Sequence, residues 1–252
     1  MKTNKNFQTF LKPQEQVDLF FRESLGIVQN PNFFSFSMDA ILLADFVRVT
    51  RRTHHIVDFC SGNGVIPLLL SHKTSSAILG LEIKKDLVEM AQRSIQMNGL
   101  EDQIQMIRGD VNEFKRHDVL YDIVTCNPPY FTLGDHHNHH QVEAHAIARH
   151  EILLTLEQWV AKAGQVLKMK GRLVFVHRPS RLDEIMDALW RHNFSVHRLR
   201  FVHPKKDRPA NTVLVEAIYG GNKGGVNVEV PLIVYDDSEN YTPELQQIYY
   251  GK

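Results

Sequence analysis

His55-Ile56-Val57-Asp58-Phe59-Cys60-Ser61-Gly62-Asn63-Gly64-Val65-Ile66-Pro67-Leu68 is the stretch that decides the fold. It opens as an apolar run of strand length ending in Asp58. A turn with two glycines follows, then an apolar stretch at helical spacing. Gly62 and Gly64 allow unusual φ angles and let the backbone approach a ligand closely. A nicotinamide dinucleotide site would want a third glycine where Pro67 stands, which disfavours that cofactor.

Downstream, strands and helices alternate. Ala77-Ile78-Leu79-Gly80-Leu81-Glu82-Ile83 reads as the second strand. Glu82, at its end, could accept bonds from both ribose hydroxyls of a cofactor; alone, it would be an ordinary solvated acid. Leu87, Ala91 and Ile95 stripe a helix that Gly99 ends. The third strand, Ile104-Gln105-Met106-Ile107-Arg108-Gly109, runs to Asp110. Asp110 reads either as the N-cap of a helix beginning Val111-Asn112-Glu113 or as a ligand of the cofactor.

The fourth strand, Tyr121-Asp122-Ile123-Val124-Thr125-Cys126, leads into Asn127-Pro128-Pro129-Tyr130. Each proline fixes φ near −65° and removes an N–H donor. The residue before a proline is pushed out of the helical region. Carbonyl and amide acceptors are thereby held at set angles beside an aromatic ring, an arrangement that grips a planar amino group. A fifth strand, residues 171–177, a helix over 181–191 and two strands over 194–202 and 212–219 follow. The hydrophilic link 203–211 joins the last two as a long hairpin, and a last strand at 228–230 and a short helix end the chain. This alternation predicts a mostly parallel sheet with helices on both faces. Ligands then sit beyond the C-terminal strand ends, where Gly62, Glu82, Asp110 and Asn127 all fall.

Upstream, Leu25–Gln29 and Phe33–Phe36 flank Asn30-Pro31-Asn32 as a hairpin, and Ser37 caps a helix over Met38–Phe46. Residues 1–50 form an N-terminal extension and 51–252 the main domain, with no internal repeat.

The chain carries 29 Lys and Arg against 29 Asp and Glu, a net charge of zero, which argues against a general nucleic-acid coat. Two basic clusters stand out nonetheless. One is Arg48, Arg51, Arg52, His54 and His55; the other is His197, Arg198, Arg200, His203, Lys205, Lys206 and Arg208. Each reads as a phosphate-tracking patch or as a solvated face. No apolar run approaches the ~20 residues of a membrane span, and the N-terminus leads into no signal-type core. Cys60 and Cys126 read as reduced residues of a cytoplasmic protein. His136, His137, His139, His140 and His145 crowd the stretch after Tyr130, which reads as a polar loop beside a pocket rather than a metal site.

These features resemble class I S-adenosylmethionine-dependent methyltransferases. The Asn127–Tyr130 tetrapeptide resembles the signature of amino-group N-methyltransferases acting on adenine N6, cytosine N4 or the glutamine amide. More narrowly, the chain resembles the bacterial family that N6-methylates adenosine 37 in a valine tRNA. That resemblance spans nearly the whole chain, through Phe34–Leu43, Asp58–Gly64, Asn127–Tyr130, Arg149-His150-Glu151, Val176–Leu182 and Val202–Glu216. The His-rich loop departs from the family pattern. The resemblance implies a Rossmann-like, seven-stranded, mostly parallel sheet with an antiparallel C-terminal hairpin. It implies S-adenosylmethionine held by Asp58, Ser61, Gly62, Gly64, Glu82, Asp110, Val111 and Asn127, with chemistry at Asn127, Pro128 and Tyr130. The implied partner is the anticodon loop of tRNA, with no membrane and no obligate protein partner. A glutamine-amide methyltransferase acting on a release factor is the rival enzyme. A non-catalytic RNA-binding relative is the rival module, and the intact Gly62, Gly64, Glu82, Asp110 and Asn127 speak against it.

Overall fold

A computed structural model describes residues 7–20, 24–31, 37–115, 119–128 and 154–251. The strands are β1 (Gln16–Phe20), β2 (Leu25–Gln29), β3 (His55–Phe59), β4 (Ala77–Glu82), β5 (Ile104–Arg108), β6 (Tyr121–Cys126), β7 (Leu167–His177), β8 (Phe194–His203), β9 (Thr212–Tyr219), β10 (Asn227–Val228) and β11 (Leu232–Ile233). The helices are α1 (Met38–Phe46), α2 (Val65–Ser71), α3 (Lys85–Asn98), α4 (Leu156–Val166), α5 (Leu182–Arg191) and α6 (Pro243–Tyr250).

Seven strands in the order β5-β4-β3-β6-β7-β9-β8 form the central sheet. β3, β4, β5, β6 and β7 are parallel, and β9 runs antiparallel between β7 and β8. Two-residue strands β10 and β11 extend it alongside β8, giving nine strands among the described residues. The chain leaves β3 for β4 on one side and returns to β6 on the other, so the C-terminal ends of β3 and β6 flank a crevice.

Two buried clusters cover the sheet. One joins α1, α2 and α3 through residues such as Ile41, Leu43, Leu68 and Ala91 to Ile56, Ile78 and Ile123. The other joins Trp159 and Leu189 to Val57, Val124 and Phe175. The strands between them are nearly uninterrupted apolar runs because both faces are covered. α2 is buried from Val65 through Leu70. Pro67 lies in its first turn, where a missing N–H forfeits no intrahelical bond. Gly99 closes α3 at φ 69°, with its N–H on the Gln96 carbonyl and that of Leu100 on Ile95. A capping box on Thr155 and Gln158 starts α4.

The N-terminal strands differ from the expected pairing. β2 forms, but its partner is β1, in register from Gln16 opposite Gln29 to Phe20 opposite Leu25. Phe33–Phe36, the expected partner, lie outside the described residues, as do the His-rich stretch and Arg149–Glu151. Among the described residues no helix is long and apolar enough to cross a membrane.

Candidate active site

The parallel ladder brings the ends of β3, β4, β5 and β6 to one edge. Asp58 is fully buried in β3. The Thr125 hydroxyl, from neighbouring β6, donates to Asp58 Oδ1 at 2.6 Å. Among the described residues Asp58 Oδ2 has no hydrogen-bond partner. Burial pushes this carboxyl up to about 7; the Ser61 and Thr125 hydroxyls oppose the rise, and the nearby Glu82 charge adds to it.

The loop after β3 is shaped by backbone demands. Cys60 takes φ 56°, Gly62 φ 57° and Gly64 φ 81°. A Cβ on Gly62 would meet nothing within 4 Å, so that side of the loop is open. A Cβ on Gly64 would come within 3.0 Å of Ala91, so this glycine lets α3 pack against the loop. Asn63 donates to the Val28 carbonyl at 3.1 Å, tying the loop to β2. Ser61 N–H bonds the Leu81 carbonyl, and the Ser61 hydroxyl contacts Met106 Sδ at 3.7 Å.

Glu82 organises the next corner. Its Oε2 accepts the Gly62 N–H and its Oε1 the Lys84 N–H, both at 2.9 Å. Each oxygen keeps a further lone pair for a donor from outside. Asp110 Oδ1 accepts the Asn112 N–H at 2.8 Å, and its carbonyl takes those of Glu113 and Phe114. Of the two readings of Asp110, the N-cap one finds no helix to cap: the segment after it is a turn, with Val111 buried inside it. Asn127 follows β6, half-buried, and Pro128 beside it is buried. Pro129 and Tyr130 lie outside the described residues. Asp58, Ser61, Gly62, Gly64, Glu82, Asp110, Val111, Asn127 and Pro128 therefore all lie along one edge of the sheet.

Sequence reading missed several neighbours. Thr125 looked like one more strand residue, and its bond to Asp58 depends on the β3–β6 register. His177 ends β7, the strand beside β6. Its Nδ1 accepts the Arg178 N–H at 2.8 Å, so the other nitrogen carries the proton in the neutral ring. Burial drives its pKa down to about 3, and the charges of Arg181 and Arg178 act the same way. Arg178 bonds the Asn211 carbonyl and lies 3.9 Å from Asp39 of α1, which Thr212 also contacts.

The two basic clusters part company. Arg51, Arg52 and His54 precede β3 and occupy the opposite, N-terminal edge. In the second cluster Arg198 is buried against Glu216 and the Phe46 ring, while Lys205, Lys206 and Arg200 pair with Glu239, Asp237 and Glu244. No metal-binding group of three or more His, Cys, Asp or Glu occurs among the described residues. Burial and a bond to Cys60 hold the Cys126 thiol well above its usual range.

The family model described as the methyltransferase small domain matches residues 25–198, from β2 through most of the sheet. The chain belongs to the methyltransferase small domain family. Within it, the chain is 24% identical over 219 residues to a tRNA1(Val) (adenine(37)-N6)-methyltransferase from Phocaeicola vulgatus, covering 84% of this chain and 88% of the relative. A protein of the same name from Tolumonas auensis is 26% identical over 212 residues, covering 82% and 84%. Among solved structures, a predicted O-methyltransferase from Agrobacterium tumefaciens superposes with a TM-score of 0.66 at 23% identity, over 84% of this chain and 95% of that one. A putative class I S-adenosylmethionine-dependent methyltransferase from Listeria monocytogenes gives a TM-score of 0.57 at 12% identity, over 82% and 67%. The fold is thus that of class I methyltransferases, as the strand order already indicates.

Proposed function

We propose that this methyltransferase modifies the exocyclic N6 of an adenine in tRNA, namely adenosine 37 of a valine tRNA, with S-adenosylmethionine as methyl donor. The observation that carries the reading is the placement of Asn127 and buried Pro128 at the crevice between β3 and β6, beside Asp58, Gly62 and Glu82. The names of the relatives supply the substrate.

The residues fit the cofactor on their own chemistry. Asp58 offers a buried carboxylate oxygen with no partner among the described residues, suited to the cationic methionine end. Glu82 offers lone pairs to ribose hydroxyls, held in place by the two N–H groups it accepts. Asp110 and Val111 suit the adenine, one as an acceptor for its amino group and one as apolar contact. The open face at Gly62 admits a ligand against the backbone. When bound, S-adenosylmethionine supplies a methyl group activated by a sulfonium.

The chain's own part is positioning. Adenine N6 is a poor nucleophile because its lone pair is delocalised into the ring. The Asn127 amide oxygen and the Pro128 carbonyl accept the two N6 hydrogens, which favours a pyramidal nitrogen with an exposed lone pair. Tyr130 stacks on the extruded base, an interaction worth ~1–3 kcal/mol. A base in an anticodon loop is only partly stacked, so it is extruded at less cost than one in a duplex. The N6 proton leaves after transfer, so no strong base is required, and His177 with its low pKa is no candidate for one. The enzyme acts in the cytoplasm, where tRNA is found.

The test is incubation with labelled S-adenosylmethionine and tRNA lacking N6-methyladenosine. Label recovered as N6-methyladenosine is expected. Asn127→Ala should lower turnover at least 100-fold while cofactor affinity changes little. Label in release factor instead of tRNA would replace this reading with glutamine methylation.

A further inference from the structure

An enzyme acting on tRNA with zero net charge needs a local surface for phosphate, and Lys205 and Lys206, on the edge that carries the site, are already paired. The pairing has a topological cause. β11 runs parallel to the last residues of β8, with Leu232 opposite Val202 and Ile233 opposite His203. The ladder continues past the strands, as the Tyr235 N–H bonds the Pro204 carbonyl at 2.9 Å. The turn after β11 is thereby laid beside the loop after β8. Both lie at the C-terminal edge, because β8 runs parallel to β7.

The turn is acidic and built. Asp236 Oδ1 accepts the N–H groups of Ser238 and Asn240, at 2.8 and 3.0 Å. Tyr235 bridges Tyr241 across it, with ring centroids 5.4 Å apart. Glu239 takes φ 62°, turning the chain back. Held so, Asp237 reaches Lys206 at 2.7 Å and Glu239 reaches Lys205. Arg208, exposed nearby, makes no ion pair among the described residues. Asp207 further offsets the positive charge of the loop.

Resting on the tRNA reading above, we propose that the loop between β8 and β9 is the phosphate-contacting surface for RNA, and that Asp237 and Glu239 are its internal competitors. The carboxylates occupy Lys205 and Lys206 until RNA phosphates displace them. Non-specific polyanions then gain little, while a substrate that also seats a base at Asn127 holds the surface open. The exchange of carboxylate for phosphate forms and breaks only ion pairs. These pairs are solvent-exposed, so removing them should leave folding intact.

The test measures binding of a fluorescent, unmodified valine tRNA transcript across a salt series, with methylation and melting temperature in parallel. Asp237→Asn with Glu239→Gln should tighten Kd about tenfold at low salt. It should also steepen the log Kd against log salt slope by about one to two, since each phosphate contact adds ~0.7–0.9. Lys205→Gln with Lys206→Gln should weaken binding about tenfold and flatten the slope by a similar amount. Arg51→Gln with Arg52→Gln, on the opposite edge, should change neither. A wild type that methylates tRNA while the acidic and basic variants share its Kd and slope would overturn the surface and leave the activity standing. RNA binding absent from every variant would overturn both.

Discussion

Asp58 combines three properties that seldom coincide: full burial, a hydroxyl bond from Thr125 to one carboxylate oxygen, and a second oxygen with no hydrogen-bond partner among the described residues. With its carboxyl up near 7, the acid is largely protonated in mildly acidic solution. Only the ionised form can hold a cationic methionine end. Cofactor affinity should therefore strengthen as pH rises, by up to about tenfold per unit below pH 7, and level off above it. Calorimetric titration of S-adenosylmethionine from pH 5.5 to 8.5 measures this, and Asp58→Asn should bind weakly with a flat profile. A flat wild-type profile would count against Asp58 as the contact. Stability of the ligand-free protein moves the other way. A carboxyl whose folded pKa is raised contributes most below its unfolded value near 4, and loses that contribution as pH climbs toward 7. His177 opposes it: a ring that stays neutral when folded loses its contribution as pH falls from about 6.5 toward 3.

At the scale of an element, β4 shows why the crevice tolerates little change. Gly80 is the residue opposite Asp58, and a Cβ there would lie 2.1 Å from Met106 Sδ and 2.7 Å from Ser61 Oγ. Gly80→Ala must push Met106 or Ser61 aside. Overpacking of this kind costs ~1–3 kcal/mol. Denaturant unfolding should show that loss, and cofactor affinity should fall with it because Ser61 sits in the glycine loop. Equal stability and affinity in the variant would mean that the loop is looser than its contacts indicate. Strands, helices and their order were legible from apolar periodicity and from the Gly62, Gly64 and Gly99 punctuation. The pairing of β2 with β1 was not. Gln16-Val17-Asp18-Leu19 alternates polar and apolar residues over only four positions, and no Gly, Pro or Asn between it and Leu25 signals a hairpin; the pair owes its place to α3, where Ser94 and Asn98 bond Val28 and Gly26.

Across the whole molecule, Arg198 ties the C-terminal strands to the N-terminal helix. It reaches Glu216 of β9 at 2.9 Å, Glu229 at 3.1 Å and the Phe46 carbonyl of α1 at 2.6 Å, and stacks over the Phe46 ring. Removing one partner of a buried pair leaves the other charge uncompensated, at ~3–5 kcal/mol. Arg198→Ala should lose about that much in a denaturant titration. A loss under 1 kcal/mol would show that Arg172, 3.7 Å from Glu216, takes over.

The residues of the candidate site were readable along the chain because each stands at a strand end, and strand ends of a parallel sheet share one edge whatever the side chains around them. The sequence alone therefore determined the α/β class, the edge and the candidates Asp58, Gly62, Glu82, Asp110 and Asn127. The second basic cluster looked like an open patch because periodicity says nothing about partners thirty residues away. Only the tertiary structure decided that Lys205 and Lys206 face carboxylates, that Thr125 bonds Asp58, and that Arg51 and Arg52 sit on the far edge. Each of those facts depends on strand register and direction, which are set by packing among distant segments rather than by local preference.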